Sequence, residues 1–125
     1  YIDGMEIVSG KVSKGRGLGH ALGFPTINIF YGGKERGVFA GDVILADKTY
    51  VAAINVGSRP TVDDEQNIAE AFLLNWPVDE EIPLDTQVEF LLRQKIRDTR
   101  KFSDLDELKA QIAKDVEFVK TCYNL

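Results

Sequence analysis

The sequence has 125 residues, 44% of them hydrophobic and 28% charged, which is enough for one domain with a core of its own. Fifteen Lys/Arg and twenty Asp/Glu give a formal net charge of −5, which argues against nucleic-acid binding through a basic surface. One cysteine and one histidine exclude an internal disulfide and a multi-histidine metal centre. No long apolar run is present, so no membrane partner is predicted, and the low cysteine content predicts a cytoplasmic location.

Six segments rich in β-branched and aromatic residues predict strands, separated by polar turns that contain Gly or Pro. They are Met5–Val12, Thr26–Phe30, Val38–Ala46, Tyr50–Val56, Ile68–Asn75 and Thr86–Leu92, with a tight turn at Asp47-Lys48 between the third and the fourth. No helical period interrupts them, which favours an antiparallel sheet or small barrel over βαβ units. Nothing divides the chain, so residues 1–125 are predicted to form a single domain.

The C-terminal segment changes to a helical period. Apolar residues recur every three or four positions at Leu105, Leu108, Ile112, Val116 and Val119. Ser103, with Asp106 three residues later, predicts a start that resembles a capping box. The pattern predicts an amphipathic helix of about four to five turns, whose apolar stripe packs on the sheet rather than on a partner helix.

The glycines and the charges of the first third are unevenly distributed. No acid occurs between Glu6 and Glu35, and this stretch contains four Lys/Arg, the histidine His20, and five glycines from Gly10 to Gly23. A glycine-rich, locally basic loop suits phosphate binding, because backbone N–H groups approach an anion closely where no Cβ intervenes. A flexible hairpin with solvated lysines is the alternative, and composition alone does not separate the two.

Thr26 and Asn28 lie two residues apart in a predicted strand, so their side chains point to the same face. A hydroxyl and an amide oxygen at this spacing can ligate a hard cation such as Mg²⁺. They can equally cap backbone groups at a turn-to-strand boundary. Both interpretations stay open on the spacing alone.

Glu70 is the acidic residue whose surroundings are unusual. Alternation along its strand puts Glu70 on the same face as the large apolar residues Ile68, Phe72 and Leu74. Desolvation there would raise the pKa of the carboxyl group and make it a usable general base. The alternative is an edge position at which Glu70 reaches water or a basic partner.

The segment Arg97-Asp98-Thr99-Arg100-Lys101-Phe102 follows the last predicted strand. A mixed-charge segment of this kind is either a solvated connection or a loop that folds over a ligand. In the second case Arg97 or Phe102 would stack on an aromatic ring.

Taken together and in chain order, these segments resemble the riboflavin kinase family. The stretch Gly10 to Asn28, GKVSKGRGLGHALGFPTIN, resembles that family's glycine loop and PTxN motif. Further matching segments are Gly37–Ala40, Ala53–Thr61, Ala69–Leu74, Ile96–Arg97, Lys101–Phe102 and the final helix. The resemblance runs from about residue 6 to residue 120.

The resemblance implies a mainly β fold, a six-stranded antiparallel Greek-key β-barrel with a C-terminal α-helix. It implies transfer of the ATP γ-phosphate to the 5′-hydroxyl of riboflavin, giving FMN and ADP. Glu70 would be the general base, Thr26 and Asn28 the ligands of Mg²⁺, and the flavin site would include Arg97, Asp98 and Phe102. The implied nucleotide-binding residues are Lys14, Gly15, Gly17, Gly19, His20, Gly23, Pro25 and Thr26.

The resemblance also implies a wider context. In bacteria this unit is usually the C-terminal half of a bifunctional protein whose other half adenylylates FMN to FAD, and a chain that begins with Tyr1 fits such an excised domain. His20, Phe72, Asn75 and Thr99 depart from the family pattern of Arg, His, Asp and Glu at these positions. They motivate an alternative, a non-catalytic flavin- or nucleotide-binding regulatory module on the same fold.

Overall fold

The computed structural model describes residues 6–13, 24–31, 35–60, 65–77, 80–100 and 102–125. In these ranges it contains six strands and one helix. They are β1 (Glu6–Lys11), β2 (Thr26–Phe30), β3 (Gly37–Leu45), β4 (Lys48–Pro60), β5 (Glu65–Leu73), β6 (Gln87–Arg97) and α1 (Leu105–Tyr123). All six strands predicted from the sequence are therefore confirmed, with differences at their ends.

The strands form one antiparallel sheet in the order β1-β6-β3-β4-β5-β2. Strands β3, β4 and β5 follow one another, and β6 returns to lie beside β3, which is the connectivity of a Greek key. The sheet curls into a half-barrel. Its edges approach each other just beyond β1, where the backbone N–H of Ser13 donates to the carbonyl oxygen of Asn28 at 2.8 Å. The predicted fold class is confirmed.

The two faces of the sheet bury different apolar sets. The inner face holds the main core, which includes Ile27, Ile29, Ile54, Ala69, Ala71, Leu73 and Phe90. The outer face carries a second cluster in which Ala40, Ala53 and Phe72 pack under Ile112, Val116 and Val119 of α1. Alternation along β5 thus sends alanines inward and Phe72 to the helix, as the sequence pattern predicts. The outer face is also the face that carries Glu70.

The start of α1 differs from the prediction. Asp104, not Ser103, is the N-cap residue, and its side chain accepts the backbone N–H of Glu107 at 2.8 Å. Ser103 instead donates its hydroxyl to the Glu107 carboxylate at 2.7 Å. Leu105 is 51% exposed and does not join the buried stripe of α1.

Strand β6 runs five residues further than predicted, to Arg97, because its polar second half still pairs with β3. The β3–β4 turn is centred on Ala46 and Asp47, one residue earlier than predicted. Both have positive φ, 52° and 64°, as a two-residue type I′ hairpin requires.

Gly41 marks the tightest approach of β3 to β6. The register between these strands shifts between Ala40 and Gly41. A Cβ added at Gly41 would overlap the carbonyl oxygen of Leu91 and would lie 2.8 Å from Cδ1 of Ile54. Only glycine lets the two backbones meet here, at the irregularity in the pairing of β3 with β6.

Candidate active site

Three polar residues form a row across three neighbouring strands on the outer face. Asn28 of β2 pairs with Glu70 of β5, and Glu70 pairs with Asn55 of β4. Residues directly opposite each other in an antiparallel pair point to the same side, with their Cβ atoms about 5 Å apart. The fold therefore brings together a carboxylate and two amides that are distant in sequence.

Asn28 carries a buried side-chain oxygen that no residue in the described part of the chain hydrogen-bonds. The residue is 4% exposed, and its Oδ1 has no hydrogen-bond partner among the residues that the structure describes. Its backbone carbonyl, in contrast, accepts from the N–H of Ser13 at 2.8 Å and from the Ser13 hydroxyl at 3.1 Å. Leaving a buried acceptor without a partner costs about 1–3 kcal/mol, so Oδ1 is an oxygen available to a ligand.

Thr26 and Glu70 are neighbours of Asn28 on the same face of the sheet. Thr26 lies two residues before Asn28 on the same strand, so both side chains leave the same face, as predicted. Glu70 lies opposite Asn28 and is partly buried, beside the Phe72 side chain that packs under α1. The arrangement places a hydroxyl, an amide oxygen and a carboxylate in one small area of the sheet.

The described residues on either side of the glycine-rich segment lie in this area. Ser13, just before the segment, is bonded to Asn28. After it, Phe24 packs against the helix-side cluster, and the carbonyl of Pro25 accepts from the N–H of Leu73 at 2.9 Å. The predicted nucleotide-binding residues Lys14, Gly15, Gly17, Gly19, His20 and Gly23 lie outside the described residues. The described residue Pro25 holds the end of the segment next to Thr26.

The predicted flavin residues form a second group at the end of β6. The Arg97 guanidinium donates twice to Asp115 of α1, at 2.9 and 2.8 Å, and once to the Asp98 carbonyl at 3.0 Å. The Phe102 ring lies under Arg100, 4.5 Å from the guanidinium carbon, and is 6.0 Å from that of Arg97. The structure therefore brings Arg97, Asp98 and Phe102 together, while their contact with a flavin stays a prediction.

Ion pairs and hydrogen bonds hold the residues around this second group in place. The Lys95 ammonium lies 2.8 Å from the Asp98 carboxylate and lowers the pKa of Asp98. Ser103 and Arg100 donate hydrogen bonds to Glu107 and lower the pKa of that side chain. The connection from β6 to α1 is thus tied to both elements at neutral pH.

The two groups lie on the same row of the sheet. Asn55 pairs with Val38 of β3, and Val38 pairs with Arg97 of β6. Three strand spacings separate Glu70 from Arg97, which is about 14 Å along the sheet. A ligand that touches both groups must therefore be elongated.

Asp115 is the residue of this region that the sequence interpretation did not include. It is 4% exposed and also accepts from Nε2 of Gln111 at 3.0 Å. The available signal was its position: Asp115 falls between Ile112 and Val116, inside the apolar stripe of the helix, where an unpaired charge is costly.

Three of the residues that depart from the family pattern have defined contacts in the structure. Phe72 is buried between the sheet and α1. Asn75 accepts the backbone N–H of Val51 through its side-chain oxygen at 3.0 Å. The methyl group of Thr99 lies over Gly57 of β4, where a Cβ would be 3.5 Å away. The fourth position, His20, lies outside the described residues.

Two absences apply only to the part of the chain that the structure describes. There, no helix combines the length and the apolarity needed to cross a membrane. Within the same residues, no group of three or more His, Cys, Asp or Glu is placed to hold a metal ion. A cation at Asn28 would therefore take most of its ligands from water and from the oxygens of a bound phosphate, as Mg²⁺ commonly does.

Fold and site together define a small Greek-key half-barrel domain in which the Glu70 carboxylate lies beside two candidate oxygen ligands, the Thr26 hydroxyl and the Asn28 amide oxygen. Residues 5–123 match the family model described as Flavokinase: Riboflavin kinase. The chain belongs to the riboflavin kinase family, and the resemblance seen in the sequence is confirmed.

Curated relatives agree with this assignment. The chain is 38% identical over 112 residues to the bifunctional riboflavin kinase/FMN adenylyltransferase of Escherichia coli (strain K12), covering 86% of this chain and 35% of that protein. It is 32% identical over 124 residues to the RNA-binding riboflavin kinase RibR of Bacillus subtilis (strain 168), covering 97% and 53%. The chain thus spans about a third to a half of the length of these relatives. Because the second name includes RNA binding, the absence of a nucleic-acid partner stays a prediction.

A solved structure shares the fold. It is described as a macrolide-efflux protein from Streptococcus pneumoniae, and it superimposes with a TM-score of 0.74 at 27% identity. The match covers 91% of this chain and 38% of that one. Like the curated relatives, it contains this unit as a part of a longer polypeptide.

Proposed function

We propose that this chain transfers the γ-phosphate of ATP to the 5′-hydroxyl of riboflavin, giving FMN and ADP. The observation that carries the proposal is the pairing of Asn28 with Glu70, which sets a buried amide oxygen, without a partner among the described residues, beside a carboxylate. Membership of the riboflavin kinase family supplies the substrates. The names of the matched relatives support the same reaction.

Glu70 acts as the general base in this proposal. Its carboxylate accepts the proton of the riboflavin 5′-hydroxyl as that oxygen forms a bond to the γ-phosphorus. The bond from the γ-phosphorus to the β–γ bridging oxygen breaks, and its electron pair leaves with ADP. Phosphoryl transfer needs mainly positioning and charge stabilisation, so a single base on a rigid strand is enough beside a cation and a phosphate-binding segment.

Thr26 and Asn28 are the residues proposed to hold Mg²⁺. The fit rests on Oδ1 of Asn28, which is buried and has no partner in the described part of the chain, and on the Thr26 hydroxyl on the same face. Mg²⁺ prefers such oxygen donors together with phosphate oxygens and water. When bound, it would neutralise negative charge on the phosphates.

The nucleotide phosphates and the flavin ring are assigned to opposite ends of the row of residues from Asn28 to Arg97. The glycine-rich segment, held beside Asn28 at Ser13 and Pro25, is proposed to cover the nucleotide phosphates. Arg97, Asp98 and Phe102 are proposed to contact the flavin ring about 14 Å from Glu70. The ribityl chain would then lie across β4 and β3, with its 5′-hydroxyl at Glu70.

The test is FMN formation by the purified 125-residue chain with riboflavin, ATP and Mg²⁺, followed by chromatography. We expect FMN with all three components and none when Mg²⁺ is removed by chelation. Flavin binding without FMN formation would contradict the proposal and favour the non-catalytic regulatory module.

We also propose that residues 1–125 act as a single kinase domain. Several relatives carry a second activity in their names, FMN adenylyltransferase, and all are longer than this chain. Supplied with FMN and ATP, the 125-residue chain should therefore produce no FAD. The bifunctional Escherichia coli relative serves as the positive control, and FAD formed by this chain alone would contradict the assignment.

A further inference from the structure

Two buried aspartates fasten α1 and the arginines of β6 to the outer face of the sheet. Asp115 of α1 receives two hydrogen bonds from Arg97. The carboxylate of Asp42 on β3 accepts a hydrogen bond from Nε of Arg93 at 2.5 Å. It accepts a second from the hydroxyl of Tyr123, near the end of α1, at 2.7 Å. Their exposures are nearly equal, 4% and 5%, so the two form a natural matched pair.

The two aspartates differ in what lies next to them. Arg97 belongs to the row that contains Glu70, through Val38 and Asn55. Asp42 lies four residues beyond Val38 on β3, about 13 Å further along the strand. Asp42 therefore stabilises the helix away from the candidate site, whereas Asp115 acts beside it.

The pair Arg97–Asp115 fixes more than one side chain. The bidentate contact holds the plane of the Arg97 guanidinium, and a third N–H of the same group donates to the Asp98 carbonyl. Phe102 then lies under Arg100, which is itself paired with Glu107 of α1 at 2.7 Å. The proposed flavin residues thus take their positions from α1.

We propose that Asp115 is a positioning residue for flavin recognition, which orients Arg97, and through it Asp98, toward a flavin ring that Phe102 also contacts. The inference rests on the proposed function, because it assumes that riboflavin is the substrate. In Asp115→Asn one of the two acceptor oxygens becomes an NH2 donor, so the bidentate contact is lost and the Arg97 guanidinium turns toward water. Flavin binding weakens as a result, whereas Asn28 and Glu70, on other strands, keep their geometry.

The test compares Asp115→Asn with the matched control Asp42→Asn. Each variant keeps the shape of the side chain and removes one buried charge that holds α1. We expect Asp115→Asn to raise the KM and the Kd for riboflavin by about 10–100-fold, with the KM for ATP unchanged. Asp42→Asn should lower the unfolding temperature to a similar extent but leave both constants at the wild-type values. Flavin fluorescence gives the Kd, and FMN formation gives each KM.

A third variant tests the inference even if Asp115→Asn does not fold. Asp115→Glu keeps the charge but displaces it by one methylene, so its KM for riboflavin should lie between those of the wild type and Asp115→Asn. If Asp115→Asn does not fold, a wild-type KM in Asp115→Glu overturns the inference and a raised KM supports it.

Two results would overturn the inference or its basis, and they are distinguishable. Equal riboflavin constants in Asp115→Asn and Asp42→Asn would show that Asp115 only stabilises the helix, while wild-type FMN formation leaves the proposed function standing. Wild-type protein that neither binds riboflavin nor forms FMN would overturn the proposed function itself.

Discussion

Asn28 on β2 lies directly opposite Glu70 on β5, so a buried amide oxygen without a partner in the described structure faces the same side of the sheet as a partly buried carboxylate. The two residues are separated by more than forty positions in the sequence. Their pairing joins the segment proposed to hold the cation to the strand proposed to supply the base.

Glu70→Gln should reduce kcat for FMN formation by about 10²–10⁴-fold, because the amide cannot accept the proton of the attacking hydroxyl. The Kd for riboflavin should change little, since glutamine has nearly the same shape. Glu89→Gln is the matched control: Glu89 is an exposed residue of β6 outside the row. Steady-state kinetics and flavin fluorescence check both effects, and unchanged turnover in Glu70→Gln would remove it from the role of base.

Asn28→Ala should raise the Mg²⁺ concentration needed for half-maximal FMN formation by at least about tenfold, since even outer-shell changes cost this much in metal affinity. Asn75→Ala is the matched control, because Asn75 uses its amide oxygen for the backbone of Val51. That variant should lose about 1 kcal/mol of unfolding free energy and keep its Mg²⁺ dependence. Identical Mg²⁺ titrations of the two variants would argue against Asn28 as a ligand.

Tyr123→Phe should lower the unfolding free energy at neutral pH by about 1–2 kcal/mol, through loss of the hydrogen bond to Asp42. Burial raises the pKa of Tyr123, and the bond to Asp42 raises it further. An unfolded tyrosine titrates near pH 10, so above about this pH the unfolded state loses the proton first and wild-type stability falls. The difference in unfolding free energy between the wild type and Tyr123→Phe should therefore become smaller above about pH 10.

Denaturant unfolding at pH 7 to 11 measures this convergence. Burial also raises the pKa of Tyr31, so part of the alkaline loss remains in Tyr123→Phe. A deficit that stays constant across this pH range would mean that the Tyr123 hydroxyl titrates alike in the folded and unfolded states.

Gly41→Ala should destabilise the protein by about 2–3 kcal/mol, because the added Cβ would collide with the backbone of Leu91 and the side chain of Ile54. Gly57→Ala is the matched control, since its Cβ would meet Thr99 at an ordinary contact distance of 3.5 Å. That change should shift the unfolding free energy by no more than about 1 kcal/mol. Equal effects of the two substitutions in denaturant unfolding would refute the close approach of β3 to β6.

Local patterns predicted the strands well where apolar residues alternate, and less well where polar residues pair. The Thr26–Phe30 strand has the predicted bounds because Pro25 and the apolar alternation define it locally. Strand β6 was predicted to end at Leu92, because residues 93–97 are mostly charged. Its extension depends on pairing with β3 and on ion pairs of Arg93 and Arg97 with distant aspartates.

The sequence by itself determined the class of fold, the shared face of Thr26 and Asn28, and the place of Glu70 among large apolar residues, because these properties follow from periods of two and of about 3.6 residues. Only the tertiary structure decided that Asn28 lies opposite Glu70 and that Asp115 holds Arg97. Both contacts join residues of different elements. Their register is set by which apolar faces the half-barrel and α1 bury together, and local periodicity does not encode it.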